Sequence, residues 1–284
     1  MNQTLPNQSL ASNAPAVPLP VFGLIIIGDE IMSGKRSDKH FGKVVEILKA
    51  RGLQLSWAQY VGDDPQRITK ALTLAAASGD VVFCTGGIGA TPDDHTRQCA
   101  ARALGLPLGL HPQAKTLIEQ RMQEQALAQG VQYDPSAPDN LHRLNMGVFP
   151  VGAEIIANPF NRIPGFQCGR LYFVPGFPVM AWPMIEAVLD QQFSACFQRQ
   201  AWLEKSVIIM AAMEATLTPL MECIEHEHPG VKVFSLPSVE HPEWGRHIEL
   251  GVKGAPDAVN GAYAALMLGL APFHLKLGPE LVRS

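Results

Sequence analysis

Short apolar runs alternate with segments of helical periodicity along the first two thirds of the chain. Residues 21–27 and 81–84 are continuous apolar runs, and this pattern predicts buried strands of a parallel sheet. Between them, Phe41, Val44 and Leu48 recur at helical spacing, which predicts an amphipathic helix from about Asp38. The alternation predicts an α/β domain whose mostly parallel sheet is covered by helices on both faces. The other elements predicted here are a strand over 53–60, helices from 64, over 93–104 and over 112–129, a loop around 134–139, strands over 154–157 and 171–174, and a helix around 180–189.

After about residue 201 the pattern restarts on a smaller scale. Ile248, Leu250 and Val252 alternate with polar or small residues, which indicates a strand with one face in water. Further strands over 207–210 and 231–236, and helices over 215–225 and 259–270, complete a predicted β-α-β-β-α unit. We therefore expect a flexible tail over residues 1–20, an α/β domain over 21–199, a small α+β domain over 200–271 and a second tail over 272–284.

Composition narrows the functional classes. The 284 residues are 47% hydrophobic and 17% charged, which is typical of a folded globular protein. A formal charge of -4 gives no broad electrostatic reason to bind nucleic acid or an anionic membrane. The apolar run over 21–27 is far shorter than the roughly 20 residues of a membrane-spanning helix. Five cysteines without a close pair indicate neither a disulfide framework nor a zinc site, and the cytoplasm is the expected compartment.

The strongest chemical signal is the segment TGGIGATPDDHT, residues 85–96, between a predicted buried strand and a predicted helix. Its glycines let the backbone approach a ligand, and a helix N-terminus carries partial positive charge, so the segment predicts a phosphate or similar anion. It matches neither the Walker loop nor the dinucleotide fingerprint. Alternatively, Asp93 and Asp94 only cap the helix, and both roles are compatible. The predicted ligand-binding residues of this segment are Thr85, Gly86, Gly87, Gly89 and Thr91.

Two more acidic loops follow predicted strands, at Gly28-Asp29-Glu30 and at Val61-Gly62-Asp63-Asp64. Ligands of open α/β sheets bind at the carboxyl ends of the strands. Three acidic loops at one such edge predict a divalent cation, Mg²⁺ or a similar ion, beside a phosphorylated substrate. Asp38 and Asp64 are interpreted mainly as helix caps. The predicted metal ligands are Asp29, Glu30, Asp93 and Asp94, and the other predicted ligand contacts are Gly28, Ser33 and Lys35.

These motifs resemble those of the molybdopterin-binding domains of the MoaB/Mog type and, more closely, the N-terminal part of the competence/damage-inducible protein A (CinA) family. Asn158 with Pro164-Gly165, and the segment PGFP at 175–178, are similar to later family patterns. The resemblance covers about residues 22–189. It implies a three-layer α/β domain that binds a pterin or nucleotide diphosphate, often as a homo-oligomer.

The resemblance also implies an activity. It places Asp63 and Asp94 at the reactive phosphate as catalytic residues and implies pyrophosphate hydrolysis on an ADP-ribose-like substrate. The nicotinamide mononucleotide deamidase domain of full CinA proteins is not expected within these 284 residues. The chain departs from the family pattern at Ala90, at 162–165 and at 179–180. Two alternatives stay open, namely molybdopterin binding or adenylylation in molybdenum cofactor biosynthesis, and a non-catalytic ligand-binding module.

Overall fold

The structure, a computed structural model, describes residues 19–197 and 203–283. The chain forms two compact units. The first holds the described residues up to Lys49 together with Gln54–Cys196, and the second holds Ala50–Leu53 together with the described residues from Phe197. Most of the tail predicted over 1–20, and the predicted boundary at 199/200, lie outside the described residues.

A six-stranded sheet forms the centre of the first unit, in the order β2-β1-β3-β8-β7-β6. The first four strands in this order are parallel, and β7 runs antiparallel to both β8 and β6. Every residue of β1 and β3 is buried, as in central strands covered on both faces. The predicted mostly parallel α/β fold is therefore confirmed. The strands are β1 (Phe22–Ile27), β2 (Leu55–Val61), β3 (Val81–Thr85), β6 (Glu154–Ile156), β7 (Gly165–Cys168) and β8 (Leu171–Val174), while β4 (Leu108–Leu110) pairs with β5 (Val148–Pro150) apart from this sheet.

Helix α3 (Pro65–Ser78) of the first unit begins directly after a residue that caps it with its side chain. The Asp64 carboxylate accepts a hydrogen bond from the Arg67 backbone N–H at 2.8 Å, which confirms its predicted capping role. In this unit α3 packs against α4, and α2 packs against α7. The helices are α1 (Asp29–Met32), α2 (His40–Lys49), α3 (Pro65–Ser78), α4 (Thr96–Leu104), α5 (Pro112–Ala128), α6 (Pro138–Leu144) and α7 (Pro178–Gln192).

Two predictions for these helices were wrong. The helix expected to begin at Asp93 begins at Thr96, because the Asp94 carboxylate turns back to accept hydrogen bonds from Thr91 instead of capping the helix. The loop expected around 134–139 runs into helix α6. That helix has seven residues and none of them is buried, so it carries no apolar stripe in the sequence.

The second unit has the β-α-β-β-α-β order of a ferredoxin-like fold. Its sheet is wholly antiparallel, in the order β10-β11-β9-β12. Ile248, Leu250 and Val252 are buried in its core together with residues of both helices, which confirms the predicted strand and its apolar face. The opposite face is not open to water, since Gly251 is buried and the Glu249 side chain is 12% exposed. The elements are β9 (Leu203–Met210), α8 (Glu214–Glu227), β10 (Lys232–Ser238), β11 (His247–Gly254), α9 (Pro256–Leu270) and β12 (Lys276–Arg283).

The tail predicted over 272–284 was wrong, because β12 lies in the sheet beside β9. Arg283 forms ion pairs with Glu204 and Glu249 that hold the end of this strand. Most residues of β12 are exposed, and its register shifts between Leu277 and Glu280. The alternation that would mark a strand is therefore broken. Within residues 19–197 and 203–283, no helix combines the length and apolar character of a membrane span.

Candidate ligand-binding cleft

A cleft of about 740 Å³ lies at the carboxyl ends of the strands of the first unit. Its walls come from loops that follow β1, β2, β3 and β8, the edge at which open α/β sheets bind ligands. The structure thus brings together most of the residues that the motifs predict. These residues are Gly28, Glu30, Lys35, Asp63, Gly86, Gly87, Gly89, Thr91, Asp93 and Asp94.

Three predicted site residues do not line the cleft. Thr85 is 1% exposed, and its hydroxyl has no hydrogen-bond partner in the described part of the chain. Ser33 is an exposed residue at the C-terminal end of α1. Asp29 is exposed, and its carboxylate accepts a hydrogen bond from the backbone N–H of Asp63, which lines the cleft.

The glycine-rich loop, residues 85–92, requires glycine at two positions. Gly86 has φ 97°, and a Cβ there would overlap the Ile27 carbonyl oxygen. Gly87 has φ 67°, and a Cβ there would overlap the Thr96 hydroxyl. Thr96 at the start of α4 donates from its hydroxyl to the Gly86 carbonyl at 3.0 Å and from its backbone N–H to the Gly87 carbonyl at 3.0 Å. The loop is therefore pressed against β1 and fastened to α4.

Two side chains that the sequence analysis did not predict hold the far end of this loop. Arg97 is 4% exposed and donates from Nη2 to the Gly89 carbonyl at 2.5 Å. Burial lowers the pKa of Arg97, and the negative charge of Asp94 opposes that shift. His142 of α6 lies with its Nε2 2.7 Å from the Ala90 carbonyl. Arg97 follows the glycine motif directly, whereas His142 is 52 residues away, so only Arg97 had a local signal.

Four carboxylates line the cleft and form its acidic cluster, namely those of Glu30, Asp63, Asp93 and Asp94. Burial raises the pKa of Asp63 above its ordinary value of 3.8, and the charges of Asp29, Glu30 and Asp93 raise it further, against the lowering effect of the Asp29 N–H hydrogen bond. Asp94 uses Oδ2 to accept from both the backbone N–H and the hydroxyl of Thr91. The cluster therefore favours protons or a cation over further negative charge.

A metal ion held by protein side chains alone is not supported. Among the described residues, no group of three or more His, Cys, Asp or Glu side chains is placed to hold one. The carboxylates that line the cleft are nevertheless hard oxygen donors, the type that Mg²⁺ prefers. Mg²⁺ usually keeps several waters and shares one or two carboxylates with substrate phosphates, and the donor set fits that mode.

The remaining wall is mainly apolar, and most of it was outside the predicted site. Asn158 shapes it: the side chain is 4% exposed, and its Nδ2 donates to the Ile163 carbonyl at 2.9 Å and to Asn161 Oδ1 at 2.8 Å. The comparison with the family pattern pointed to Asn158 and to the segments 162–165 and 175–180, but nothing in the sequence pointed to Met146 or Asn161. The wall residues are Met146, Asn158, Asn161, Ile163, Pro164, Pro175, Gly176, Phe177 and Met180, and Arg36 lines the cleft together with Lys35.

The cleft thus offers three kinds of contact within one volume. The glycine-rich backbone and the cations of Lys35 and Arg36 suit phosphate oxygens. The acidic cluster suits a hard cation beside those phosphates. The apolar wall with Phe177 and Met180 suits a flat ring system.

Comparisons with known proteins agree with this architecture. A family model described as a probable molybdopterin binding domain matches residues 23–195. A CinA-like protein of Geotalea uraniireducens is 31% identical over 240 residues, which cover 82% of this chain and 53% of that protein. Protein TV0584 of Thermoplasma volcanium is 27% identical over 218 residues, which cover 75% of this chain and 79% of that protein. The chain spans about half the length of the CinA-like relatives that it matches.

A solved structure shows the same similarity in three dimensions. The crystal structure of the protein CinA, of unknown function, from Thermoplasma acidophilum superimposes with a TM-score of 0.50 and 25% sequence identity. The match covers 60% of this chain and 96% of that chain.

Proposed function

Because the chain belongs to the family of molybdopterin-binding domains, we propose that its cleft binds a nucleotide diphosphate of the ADP-ribose type and hydrolyses the pyrophosphate bond. One observation carries the proposal. The glycine-rich loop, the cations of Lys35 and Arg36, and the carboxylates of Asp63 and Asp94 all line the same cleft. A diphosphate is the group that would use all three, since its oxygens need both backbone donors and neutralising charge.

Each set of residues has a defined task in this proposal. The backbone of Gly86, Gly87 and Gly89 cradles the diphosphate, while Lys35 and Arg36 offset its charge. The apolar wall orients the base or the second ring. Asp63 positions the attacking water and accepts its proton, and the raised pKa of Asp63 brings that carboxylate closer to the range in which a general base works at neutral pH.

A divalent cation fits the remaining acidic oxygens. Glu30, Asp93 and Asp94 line the cleft, and one or two of these carboxylates would share the ion with the substrate phosphates. When bound, such an ion supplies charge neutralisation at the phosphate and a lower pKa for water. Thr91 holds Asp94 through two hydrogen bonds, so this carboxylate is already oriented before a ligand arrives.

The test is release of AMP from ADP-ribose or FAD by the purified protein with Mg²⁺, Mn²⁺ or Co²⁺. We expect turnover that stops when EDTA is added and that Asp94→Asn lowers at least about a hundredfold, as for loss of a residue at a metal-assisted phosphate. The variant, prepared identically, also excludes a contaminating hydrolase. Ligand binding without AMP release from any nucleotide diphosphate would instead favour the non-catalytic module.

The family description favours a second candidate, the binding or adenylylation of molybdopterin. Phosphate recognition by the glycine-rich loop is common to both candidates, and the apolar wall does not discriminate between a pterin and an adenine. Mass spectrometry of ligand that co-purifies with the protein, followed by thermal-shift assays with ADP-ribose, FAD and molybdopterin, separates the two. A shift with the pterin alone would replace the first candidate with the second.

A further inference from the structure

We propose that His40 is a positioning residue of the cleft, which locks the loop after β8 (residues 175–177) onto the glycine-rich loop. The proposal rests on the function given above only for its ligand, since the contacts concern the protein itself. It extends the site to a helix that supplies no residue to the cleft lining.

The hydrogen bonding of His40 is one-sided. The side chain is 4% exposed at the start of α2, and its Nε2 lies 3.0 Å from the carbonyl oxygen of Gly176. A carbonyl only accepts hydrogen bonds, so Nε2 carries the hydrogen. The other ring nitrogen, Nδ1, is buried without a hydrogen-bond partner among the described residues. Burying Nδ1 without a partner costs free energy that an apolar side chain would not cost. The polar interaction that the ring contributes in return is the hydrogen bond to the Gly176 carbonyl.

Gly176 connects His40 to the glycine-rich loop, because its backbone packs against that of Gly86. A Cβ built on Gly176 would lie 3.4 Å from the Gly86 Cα, so the two backbones are in van der Waals contact range. The backbone N–H of Gly86 also donates to the Val174 carbonyl at 3.1 Å. Both glycines line the cleft. Movement of Gly176 away from His40 would therefore leave Gly86 without one of its supports.

His40 is itself held in place by the Asp38 carboxylate at the start of α2. The Asp38 carboxylate accepts hydrogen bonds from the backbone N–H of His40 at 2.7 Å and of Phe41 at 3.0 Å, and from the Tyr60 hydroxyl at 2.8 Å. Burial and the neighbouring Asp38 raise the pKa of Tyr60 to about 12, so the hydroxyl keeps its proton. Lys35 lies three residues before Asp38 and lines the cleft. The turn at Asp38 thus fixes the start of α2, which places His40 against Gly176. The segment that carries Lys35 leads directly into the same turn.

Four variants separate positioning from simple packing. His40→Leu keeps an apolar side chain but removes the donor, and His40→Gln restores an N–H donor on a side chain of similar reach. Val44→Ala is the matched control, since Val44 is fully buried one turn further along α2 and its truncation destabilises the helix packing alone. Tyr60→Phe, at a partly exposed position, removes the support of Asp38 without touching the core.

The first measurement is hydrogen–deuterium exchange of the peptide 174–180 in the full chain without ligand. We expect exchange about tenfold faster in His40→Leu, a smaller increase in Tyr60→Phe, and wild-type exchange in both His40→Gln and Val44→Ala. Unchanged exchange in His40→Leu, or an equal increase in Val44→Ala, would overturn the proposal. If His40→Leu does not fold, Tyr60→Phe and His40→Gln still decide it, because Tyr60→Phe must then show the increase.

The second measurement is the dissociation constant for ADP-ribose by calorimetry. We expect about tenfold weaker binding in His40→Leu and recovery to within about twofold in His40→Gln. Wild-type affinity in His40→Leu together with faster exchange would overturn the link to the ligand. A wild-type protein that does not bind ADP-ribose refutes the proposed function but leaves the exchange measurement as a full test of His40.

Discussion

Asp29 and Asp63 hold one another through reciprocal hydrogen bonds. The Asp29 backbone N–H donates to Asp63 Oδ2 at 2.8 Å, and the Asp63 backbone N–H donates to Asp29 Oδ1 at 3.0 Å. The pair fastens the loop after β1 to the loop after β2, which are 34 residues apart in sequence. It also brings two carboxylates together at the edge of the sheet, where their mutual repulsion is offset by the N–H donors.

The variant Asp63→Asn is expected to unfold at a higher temperature than the wild type at pH 7. Burial and neighbouring carboxylates raise the folded-state pKa of Asp63 above 3.8, so the folded protein holds this proton more tightly than the unfolded chain. The free energy of unfolding therefore falls as pH rises from about 3.8 through the folded-state pKa. Melting curves from pH 7 downward should show the advantage of the variant shrinking. Asp64→Asn, which keeps the helix cap, is the control, and an advantage that grows with acid would contradict the prediction.

Added Mg²⁺ should raise the melting temperature of the wild type. The expected rise is about 2–4 °C for each kcal/mol that binding adds to the free energy of unfolding, the scale for a domain of this size. The double variant Glu30→Gln, Asp93→Asn should lose this response, because it removes two of the three carboxylates proposed to hold the ion. Sodium chloride at matched ionic strength controls for screening. An equal shift in both proteins would place the ion elsewhere.

Asp94→Asn should lower turnover without lowering the stability of the glycine-rich loop. Both hydrogen bonds from Thr91 end on Oδ2 of Asp94, and an amide oxygen still accepts them, so the melting temperature should stay within about 2 °C. Turnover of ADP-ribose should fall about a hundredfold or more. Thr91→Val, which keeps the charge but loses the hydroxyl donor, should mainly raise KM. Full turnover by Asp94→Asn would remove this residue from the catalytic set.

Gly86→Ala should be far more damaging than Gly34→Ala, although both glycines have positive φ. At Gly34 nothing lies within 4 Å of an added Cβ, whereas at Gly86 the Cβ would overlap the Ile27 carbonyl oxygen. Gly34→Ala should cost only the backbone conformational term of about 1 kcal/mol. Gly86→Ala should cost several times more, as a backbone clash in a packed region does, and should abolish ligand binding. Chemical denaturation of both variants and calorimetry with ADP-ribose provide the comparison.

A homo-oligomer is expected in solution at micromolar concentrations. Unpartnered sheet edges are the sites at which chains commonly associate, and β2 at one edge of the six-stranded sheet is mostly exposed. Size-exclusion chromatography with light scattering gives the mass directly. A single 30.8 kDa species at every concentration would refute the expectation.

The central strands were predictable because strands buried on both faces leave a continuous apolar run. Strands β1 and β3 show this, since all of their residues are buried. Strand β12 was missed for the opposite reason: it is mostly exposed and is interrupted around Gly278 and Pro279. The start of α4 was misplaced because acidic residues before a helix favour capping, while Asp94 here turns towards Thr91.

Some residues of the cleft were predictable from the sequence and others were not, again for a physical reason. Residues on strand-end loops were predictable, because parallel strands end at one edge and carry Gly28, Asp63 and Gly86 to it. Met146 and Asn161 were not predictable, since their place in the cleft wall follows from how distant segments fold against the sheet. His40 and Gly176 are 136 residues apart in sequence, and no local pattern predicts their contact.

Strand β12 also determines when the small sheet is completed. It pairs with β9, the first strand of the second unit, and the hydrogen-bonded residues Glu204 and Arg283 are 79 positions apart. On the ribosome β9 emerges long before this neighbour, so the sheet is completed only after the strand that ends at Arg283 has been synthesised. Pairing of such remote segments is slow, because the entropy of closing the intervening loop is lost before the contacts form. During that interval β9 has an unpaired edge, and substitutions that weaken β12 prolong its exposure to aggregation.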